Sequence, residues 1–251
     1  MTHLDLFSGI GGFALAAGWA GIETVGFCEV DEYCRDVLRK NFPELPIHND
    51  IRELDGDEFG SVDIITGGYP CQPFSLAGNR VGGDDKRHLW PEMLRIIRRA
   101  KPSWVVCENV FGHISMGLDE VCNDLERNNY SVRSYVVPAI SKGAPHKRDR
   151  VWIVACLSDS ASSYVEKRTE KSIPGVENIQ IEFRRMGEVV GIRTKQGEPD
   201  ICGAFDGISK GLDEDRKERL IGLGNAIVPQ VAYEFLRCIR EVEQCVSRQY
   251  G

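Results

Sequence analysis

One cysteine of this sequence lies in a setting that favours covalent chemistry. Cys71 follows a β-branched run, residues 62–66, and two glycines, and it stands between Pro70 and Pro73. Proline restricts the local backbone, which suits a nucleophile that must be held in one pose. We interpret most other cysteines as small buried side chains in the core. These are Cys28, Cys34, Cys107, Cys122, Cys156, Cys238 and Cys245.

Two further groups have the chemistry of an active site. Glu108 and Asn109 follow an apolar run, and a carboxyl among apolar neighbours is a candidate proton donor. Arg148 and Arg150 precede another apolar run and share one face if the segment is extended. Two adjacent guanidinium groups suit a phosphate or a carbonyl oxygen. Taken separately, a solvated strand end and an exposed charge run are the simpler interpretations.

A glycine-rich turn near the amino end indicates a nucleotide-like ligand. Gly9, Gly11 and Ala14 fit the spacing G-x-G-x-x-A between a predicted strand and a predicted helix. Glu29 ends the next predicted strand, where a carboxylate can accept hydrogen bonds from ribose hydroxyls. The pattern predicts an adenosine-containing cofactor. It does not distinguish a nicotinamide cofactor from S-adenosylmethionine.

Alternating strand and helix signals must position these groups. Such alternation predicts βαβ units and a mostly parallel, doubly wound α/β sheet that binds ligands at the carboxyl ends of its strands. We expect strands at 3–7, 24–28, 62–66, 104–107, 131–137 and 151–156, and helices at 13–20, 32–41, 89–100, 116–128 and 229–246. Asp31 is the expected N-cap of the second helix.

The composition is that of a globular protein, and the chain divides into two regions. Residues 1–156 and 217–251 are predicted to form the main domain, and the polar segment 157–216 an insertion. No signal peptide, membrane span or zinc-like cysteine spacing is visible, so we expect reduced thiols in a cytoplasmic protein without a structural metal.

Five motifs in order resemble those of the DNA (cytosine-5) methyltransferases. They are Phe7–Gly12, the Pro70-Cys71-Gln72 loop, Glu108-Asn109-Val110, the segment Pro145–Arg150 and Gly224–Pro229. Each motif is weak by itself, but five in this order are highly specific. The resemblance implies an S-adenosylmethionine-dependent methyltransferase fold, with a mixed, mostly parallel sheet. It also implies that 157–216 is a short target-recognition region and that the C-terminal helix packs beside the first motif.

The resemblance also implies a mechanism and a set of catalytic residues. Cys71 would add to carbon 6 of a flipped-out cytosine in duplex DNA, which makes carbon 5 reactive toward a methyl group. Glu108 would meet ring nitrogen 3, and Arg150 the exocyclic oxygen. Arg148 would support the cytosine or a neighbouring phosphate, and Asn109 would orient the loops. The glycine-containing segment 72–87 is a candidate mobile lid.

The cofactor implied by the resemblance is S-adenosyl-L-methionine. Glu29 would hold its ribose and Asp50 its adenine amino group. The rest of its expected pocket consists of Phe7, Gly9, Gly11, Gly12, Leu89 and Asn225. Expected partners are duplex DNA and, as a further candidate, a cognate restriction endonuclease. We expect a monomer without a membrane contact.

Departures from the pattern leave alternatives open. His146 replaces the usual glutamine, the arginine-rich motif before Gly224 is at best compressed, and the recognition region is short. A tRNA cytosine-5 methyltransferase of the DNA type and an inactive prophage remnant therefore stay open. A nicotinamide-dependent oxidoreductase would leave Cys71 and Glu108 without a role. An amino-methyltransferase would carry a second proline where Cys71 stands. Cys107 is a second candidate nucleophile, but it is expected to face away from Glu108, into the core.

The net charge of −7 does not exclude a DNA partner. Residues 1–66 carry 13 acidic and 4 basic side chains, whereas the remaining 185 carry 25 acidic and 27 basic ones. The acidic excess thus lies in the half expected to bind a cationic cofactor. The nearly neutral half contains local basic runs, so we expect weak non-specific DNA affinity.

Overall fold

The computed structural model describes residues 1–70, 88–138, 149–157 and 226–250. Within these ranges the chain forms a seven-stranded sheet flanked by helices. The strands are β1 (Thr2–Leu6), β2 (Glu23–Cys28), β3 (Ile47–His48), β4 (Ile64–Gly67), β5 (Trp104–Val110), β6 (Tyr130–Pro138) and β7 (Asp149–Leu157). The helices are α1 (Gly12–Trp19), α2 (Glu32–Asn41), α3 (Trp90–Ala100), α4 (His113–Met116), α5 (Leu118–Arg127) and α6 (Pro229–Tyr250).

The sheet is mixed and mostly parallel, as predicted. Its strand order is β3-β2-β1-β4-β5-β7-β6, and β7 runs antiparallel to both of its neighbours. The pairs β1–β2, β1–β4, β2–β3 and β4–β5 are parallel. The carboxyl ends of β1, β2, β4 and β5 therefore meet at one edge of the sheet, where ligands bind in such folds.

Helices cover both faces of the sheet because successive strand residues point to opposite sides. On one face, apolar residues of α1 and α6 pack on the sheet, with Phe13 of α1 and Phe235 of α6 both contacting Trp152 of β7. On the other face, α3 and α5 supply a second apolar layer. The C-terminal helix thus returns to α1 beside the first glycine turn, as expected from the resemblance. The indole N–H of Trp104 anchors that helix on β5 by donating to Glu243 at 2.8 Å.

Four differences from the sequence prediction go beyond shifts of one or two residues at the ends of elements. The two-residue strand β3 was not predicted, because two residues carry no periodic signal. The helix expected at 116–128 is two helices that begin at His113 and are separated at Gly117. Strand β5 continues through Val110 because β7 pairs with it along its whole length. Helix α6 extends beyond the expected end to Tyr250.

Other expectations are confirmed or fall outside the described ranges. The side chain of Asp31 caps α2 by accepting from the backbone N–H of Cys34 at 2.9 Å. Apart from Leu157, the predicted recognition region 157–216 lies outside the described residues, as does the candidate lid 72–87. In the described part of the chain, the helices are too short or too polar to span a bilayer.

Candidate active site

The backbone that leads to the predicted nucleophile is anchored at two points. Strand β4 ends at Gly67, and Tyr69 follows with only 3% of its surface exposed. Its hydroxyl lies 2.7 Å from Nε2 of His113, and its carbonyl oxygen accepts a hydrogen bond from Nδ2 of Asn109 at 3.0 Å. Cys71 itself lies outside the described residues. The chain is therefore held firmly two residues before the thiol.

Asn109 makes two hydrogen bonds with backbone groups. Besides the bond to Tyr69, its Oδ1 accepts from the N–H of Val110 at 2.9 Å. The side chain is 4% exposed, so both bonds are shielded from water. This geometry supports the expectation that Asn109 orients a loop, and the loop it contacts is the one that carries Cys71.

Glu108 and Arg150 form a largely buried ion pair at the same edge of the sheet. The guanidinium Nε of Arg150 lies 2.8 Å from Oε1 of Glu108, and the two side chains are 20% and 8% exposed. Glu108 lies directly opposite Trp152 in the antiparallel pair, and Arg150 lies two residues from Trp152. Side chains two residues apart on a strand share a face, which brings the guanidinium to the carboxylate.

The position of Glu108 corrects the expected strand end and supports the expectation that its carboxyl lies near the nucleophile loop. Glu108 lies inside β5, whereas the sequence prediction placed it just beyond the strand end. A Cβ atom built on Gly68 would lie 3.6 Å from Oε2 of Glu108. The carboxylate thus faces the β4 exit that leads to Cys71. Of the two arginines predicted to act together, Arg150 is described by the structure, whereas Arg148 lies outside the described residues.

Cys107 belongs to the core, as predicted. It is fully buried on the face of β5 opposite to Glu108, among the apolar residues that contact α3 and α5. Burial strongly raises the pKa of its thiol, which disfavours the thiolate that a nucleophile needs. The prediction of burial also holds for Cys28, Cys34 and Cys238. It is wrong for Cys245, which is exposed, and only partly right for Cys122 and Cys156.

The first glycine turn has an unusual backbone. Phe7, Gly9 and Gly11 all have positive φ, at 54°, 52° and 88°. This conformation is costly for Phe7, and the hydroxyl of buried Ser8 helps to hold it by donating to the carbonyl of Asp5 at 2.6 Å. At Gly11 an added Cβ would also lie 2.9 Å from the ring of Phe42. Glycine is therefore required there both by the backbone and by packing.

Glu29 holds this turn from the neighbouring strand. Its Oε2 accepts from the N–H of Gly9 at 2.6 Å, and its Oε1 accepts from the N–H of Asp31 at 2.8 Å. Burial raises the pKa of the Glu29 carboxyl, and these backbone N–H groups oppose the shift. A carboxylate oxygen has two lone pairs, so each oxygen keeps the capacity to accept a further hydrogen bond.

The remaining predicted cofactor residues approach the same edge. Asp50 follows β3, which pairs with β2 so that the N–H of Glu29 donates to the carbonyl of His48. Leu89 precedes α3 and packs partly buried against the core. Asn225 lies outside the described residues. Ile227, two residues later in the chain, lies close to the glycine turn, because a Cβ built on Gly12 would lie 2.6 Å from Ile227 Cγ1.

A chain of hydrogen-bonded polar side chains on β1, β2 and β4 was missed by the sequence analysis. His3 Nδ1 lies 3.0 Å from the hydroxyl of Thr24, and His3 Nε2 lies 2.7 Å from the hydroxyl of Thr66. Thr66 donates in turn to Oδ1 of Asp5 at 2.9 Å. Polar residues at alternate positions of β1 were the available signal, but their partners lie far away in sequence.

The comparisons with known proteins identify the family. Residues 1–195 match the model of the C-5 cytosine-specific DNA methylases. The chain belongs to this family. It is 36% identical over 164 residues to the Type II methyltransferase M.HhaI of Haemophilus parahaemolyticus, covering 63% of this chain and 50% of that protein.

Solved structures show the same fold. A Spodoptera frugiperda DNMT2 variant superposes with a TM-score of 0.54 at 25% identity, over 62% of this chain and 50% of that one. The S. pombe Dnmt2 methyltransferase gives a TM-score of 0.56 at 23% identity, over 79% of this chain and 58% of that one. The chain spans about half the length of the curated relatives it matches.

Proposed function

We propose that this protein transfers a methyl group from S-adenosylmethionine to carbon 5 of cytosine in duplex DNA. The observation that carries the proposal is the largely buried ion pair of Glu108 and Arg150, whose carboxylate faces the end of β4 that leads to Cys71. The pair would supply an acidic group and a hydrogen-bond donor at the strand end from which the chain continues to Cys71. Membership of the C-5 cytosine-specific DNA methylase family supports the same reaction.

The residues of the glycine turn fit the proposed cofactor. The carboxylate of Glu29 is fixed by two backbone N–H groups and keeps lone pairs for ribose hydroxyls. Among the described residues, no atom lies within 4 Å of a Cβ built on Gly9, which leaves room for a ligand at the turn. Asp50 and Leu89 would contact the adenosine, and Asn225 would close the pocket. When bound, the cofactor supplies an electrophilic methyl group on a cationic sulfonium.

The chain's own residues supply the activation of the base. Cys71 adds as a thiolate to carbon 6 and forms a carbon–sulfur bond, and the ring electrons move to carbon 5, which becomes nucleophilic. Glu108 holds ring nitrogen 3 through a proton, and Arg150 donates to the exocyclic oxygen, so both groups stabilise the adduct. After methylation, loss of the proton on carbon 5 expels the thiolate.

The base must leave the helix for this chemistry. Flipping it out costs about a few kcal/mol, which protein contacts must offset. The segments proposed to do so, residues 72–87 and 157–216 together with Arg148, lie outside the described residues. We propose a cytoplasmic monomer acting on DNA, with a cognate restriction endonuclease as a candidate partner.

Covalent trapping tests the proposal. Duplex DNA containing 5-fluorocytosine lacks the proton that must leave, so the wild-type protein should form a stable adduct through Cys71 when S-adenosylmethionine is present. Cys71→Ser should form no adduct and still bind S-adenosylhomocysteine. The matched control is Cys245→Ser, which removes an exposed thiol and should trap normally.

Two outcomes would contradict the proposal. An adduct formed on fluorocytosine tRNA but not on duplex DNA would favour the tRNA methyltransferase. Cofactor binding without an adduct on either nucleic acid would favour an inactive remnant. Methylation mapping of DNA from an expressing cell then gives the site that an active protein reads.

A further inference from the structure

Arg35 makes unusual contacts with the segment that carries Glu29. This segment connects β2 to α2 in only three residues, 29–31. One terminal nitrogen of the Arg35 guanidinium donates to the carbonyl oxygen of Glu29 at 3.1 Å and also to that of Val30. Two successive backbone carbonyls are thus held by one cation.

The place of Arg35 in its helix is not explained by helix electrostatics. It is the fourth residue of α2, close to the amino end, where the helix dipole disfavours a positive charge. The other basic residues of α2, Arg39 and Lys40, lie in its last turn, where the dipole favours them. In the described part of the chain, Nε of Arg35 is buried and makes no hydrogen bond. An arginine that only formed surface ion pairs would not need a buried Nε.

The contacts of Arg35 complete the fixation of Glu29. The carboxylate is held by the N–H groups of Gly9 and Asp31, and the main chain is held by Arg35. Val30, the next residue, is 70% exposed, so packing contributes little to holding this short connection. Without Arg35, the main chain at 29–30 loses its side-chain anchor, and the direction of the carboxylate is held less firmly.

We infer that Arg35 is a positioning residue that fixes the Glu29 carboxylate for the ribose of the cofactor. The inference rests on the proposed function, in which Glu29 accepts hydrogen bonds from the ribose hydroxyls. Arg35 acts through the backbone and touches no ligand itself. Lysine keeps the charge but carries it on a flexible stem, so we expect it to hold the two carbonyls less firmly.

The test separates ribose recognition from general damage to the pocket. Calorimetry measures the affinity for S-adenosylhomocysteine and for its 2′-deoxy and 3′-deoxy analogues. In the wild type, removal of a hydroxyl that Glu29 accepts should weaken binding about tenfold, as expected for one hydrogen bond to a carboxylate. The ratio of the deoxy analogue's dissociation constant to that of S-adenosylhomocysteine should fall toward one in Arg35→Ala. The reason is that S-adenosylhomocysteine should bind about tenfold more weakly, whereas the affinity for the deoxy analogue should change far less.

Two further variants keep the test sharp. Arg39→Ala removes an exposed cation of the same helix, paired only with Asp36 among its described contacts, and should keep the wild-type ratio. Arg35→Lys should give an intermediate ratio, and it carries the test if Arg35→Ala does not fold. If the Arg35 variants bind all three ligands equally more weakly, or bind them as the wild type does, the inference is wrong and the proposed function is unaffected. Absence of S-adenosylhomocysteine binding in the wild type overturns the proposed function and the inference together.

Discussion

Asn109 on β5 and Tyr69 beyond β4 are joined by a buried hydrogen bond of 3.0 Å between a side-chain amide and a backbone carbonyl. The bond lies two residues before Cys71, so it fixes the chain where the nucleophile loop begins. In the same strand, the adjacent Glu108 faces the other side of the sheet and pairs with Arg150. One strand therefore supplies both the loop anchor and the proposed acid.

The first prediction concerns that anchor. Asn109→Ala should lower methyl transfer about tenfold to a hundredfold, because a nucleophile displaced by a fraction of an ångström loses its productive geometry. S-adenosylhomocysteine affinity should stay close to that of the wild type. Single-turnover methylation and calorimetry measure the two quantities. Asn128→Ala removes a similar side-chain bond at the end of α5 and should leave both unchanged. An equal loss of cofactor affinity in Asn109→Ala would contradict the predicted role.

The second prediction concerns the proposed acid. Glu108→Gln keeps the shape of the side chain but removes its acidic proton, so methyl transfer should fall about 100- to 10,000-fold. Formation of the fluorocytosine adduct should slow with it. Glu92→Gln, which breaks the surface ion pair with Arg95 on α3, is the control and should be fully active. Wild-type rates in Glu108→Gln would exclude a role for this carboxyl in the reaction.

The third prediction concerns pH and the buried His3. Burial lowers the pKa of His3 to about 3, whereas the unfolded chain has the ordinary value of 6.5. Between about pH 3 and pH 6.5, His3 is therefore protonated in the unfolded state but neutral in the folded state. The stability that His3 contributes is thus fully present above pH 6.5 and is lost as the pH falls toward 3.

Urea unfolding at several pH values measures this effect. His3→Gln should remove a slope of up to about 1.4 kcal/mol per pH unit between pH 6 and pH 4. Burial raises the pKa of Asp5, so that carboxyl acts in the opposite direction and favours folding at low pH. The comparison of the His3 variant with the wild type isolates the histidine. Identical slopes in the two proteins would show that His3 is accessible to protons.

The fourth prediction compares two glycines of the same helix. Gly12→Ala would place its Cβ 2.6 Å from Ile227, so the segment leading into α6 must shift. We expect a loss of about 1–3 kcal/mol in unfolding free energy and weaker cofactor binding. The new methyl group of Gly18→Ala meets no atom of the described residues within 4 Å and should stabilise the helix by up to about 1 kcal/mol. Thermal unfolding distinguishes the two, and equal effects would contradict the close contact with Ile227.

Much of the site was predictable from sequence because its signals are local. The spacing of Gly9 and Gly11 before a helix, and of Glu29 after the next strand, indicates a cofactor turn without any knowledge of the fold. Strand alternation places Cys107 and Glu108 on opposite faces, and the structure confirms that Cys107 is a core residue. The order of the motifs predicted the family to which the chain belongs.

The tertiary structure decided the pairings, which depend on register between distant segments. Arg150 meets Glu108 because β7 runs antiparallel to β5 with Trp152 opposite Glu108, and no local pattern specifies that register. Asn109 likewise bonds to Tyr69, forty residues earlier in the sequence, because β4 and β5 pair in a parallel register. The sequence by itself determined which chemical groups lie at strand ends, since that follows from short-range patterns. Only the packed sheet determined which of them touch, since a contact requires two segments to be fixed in space at once.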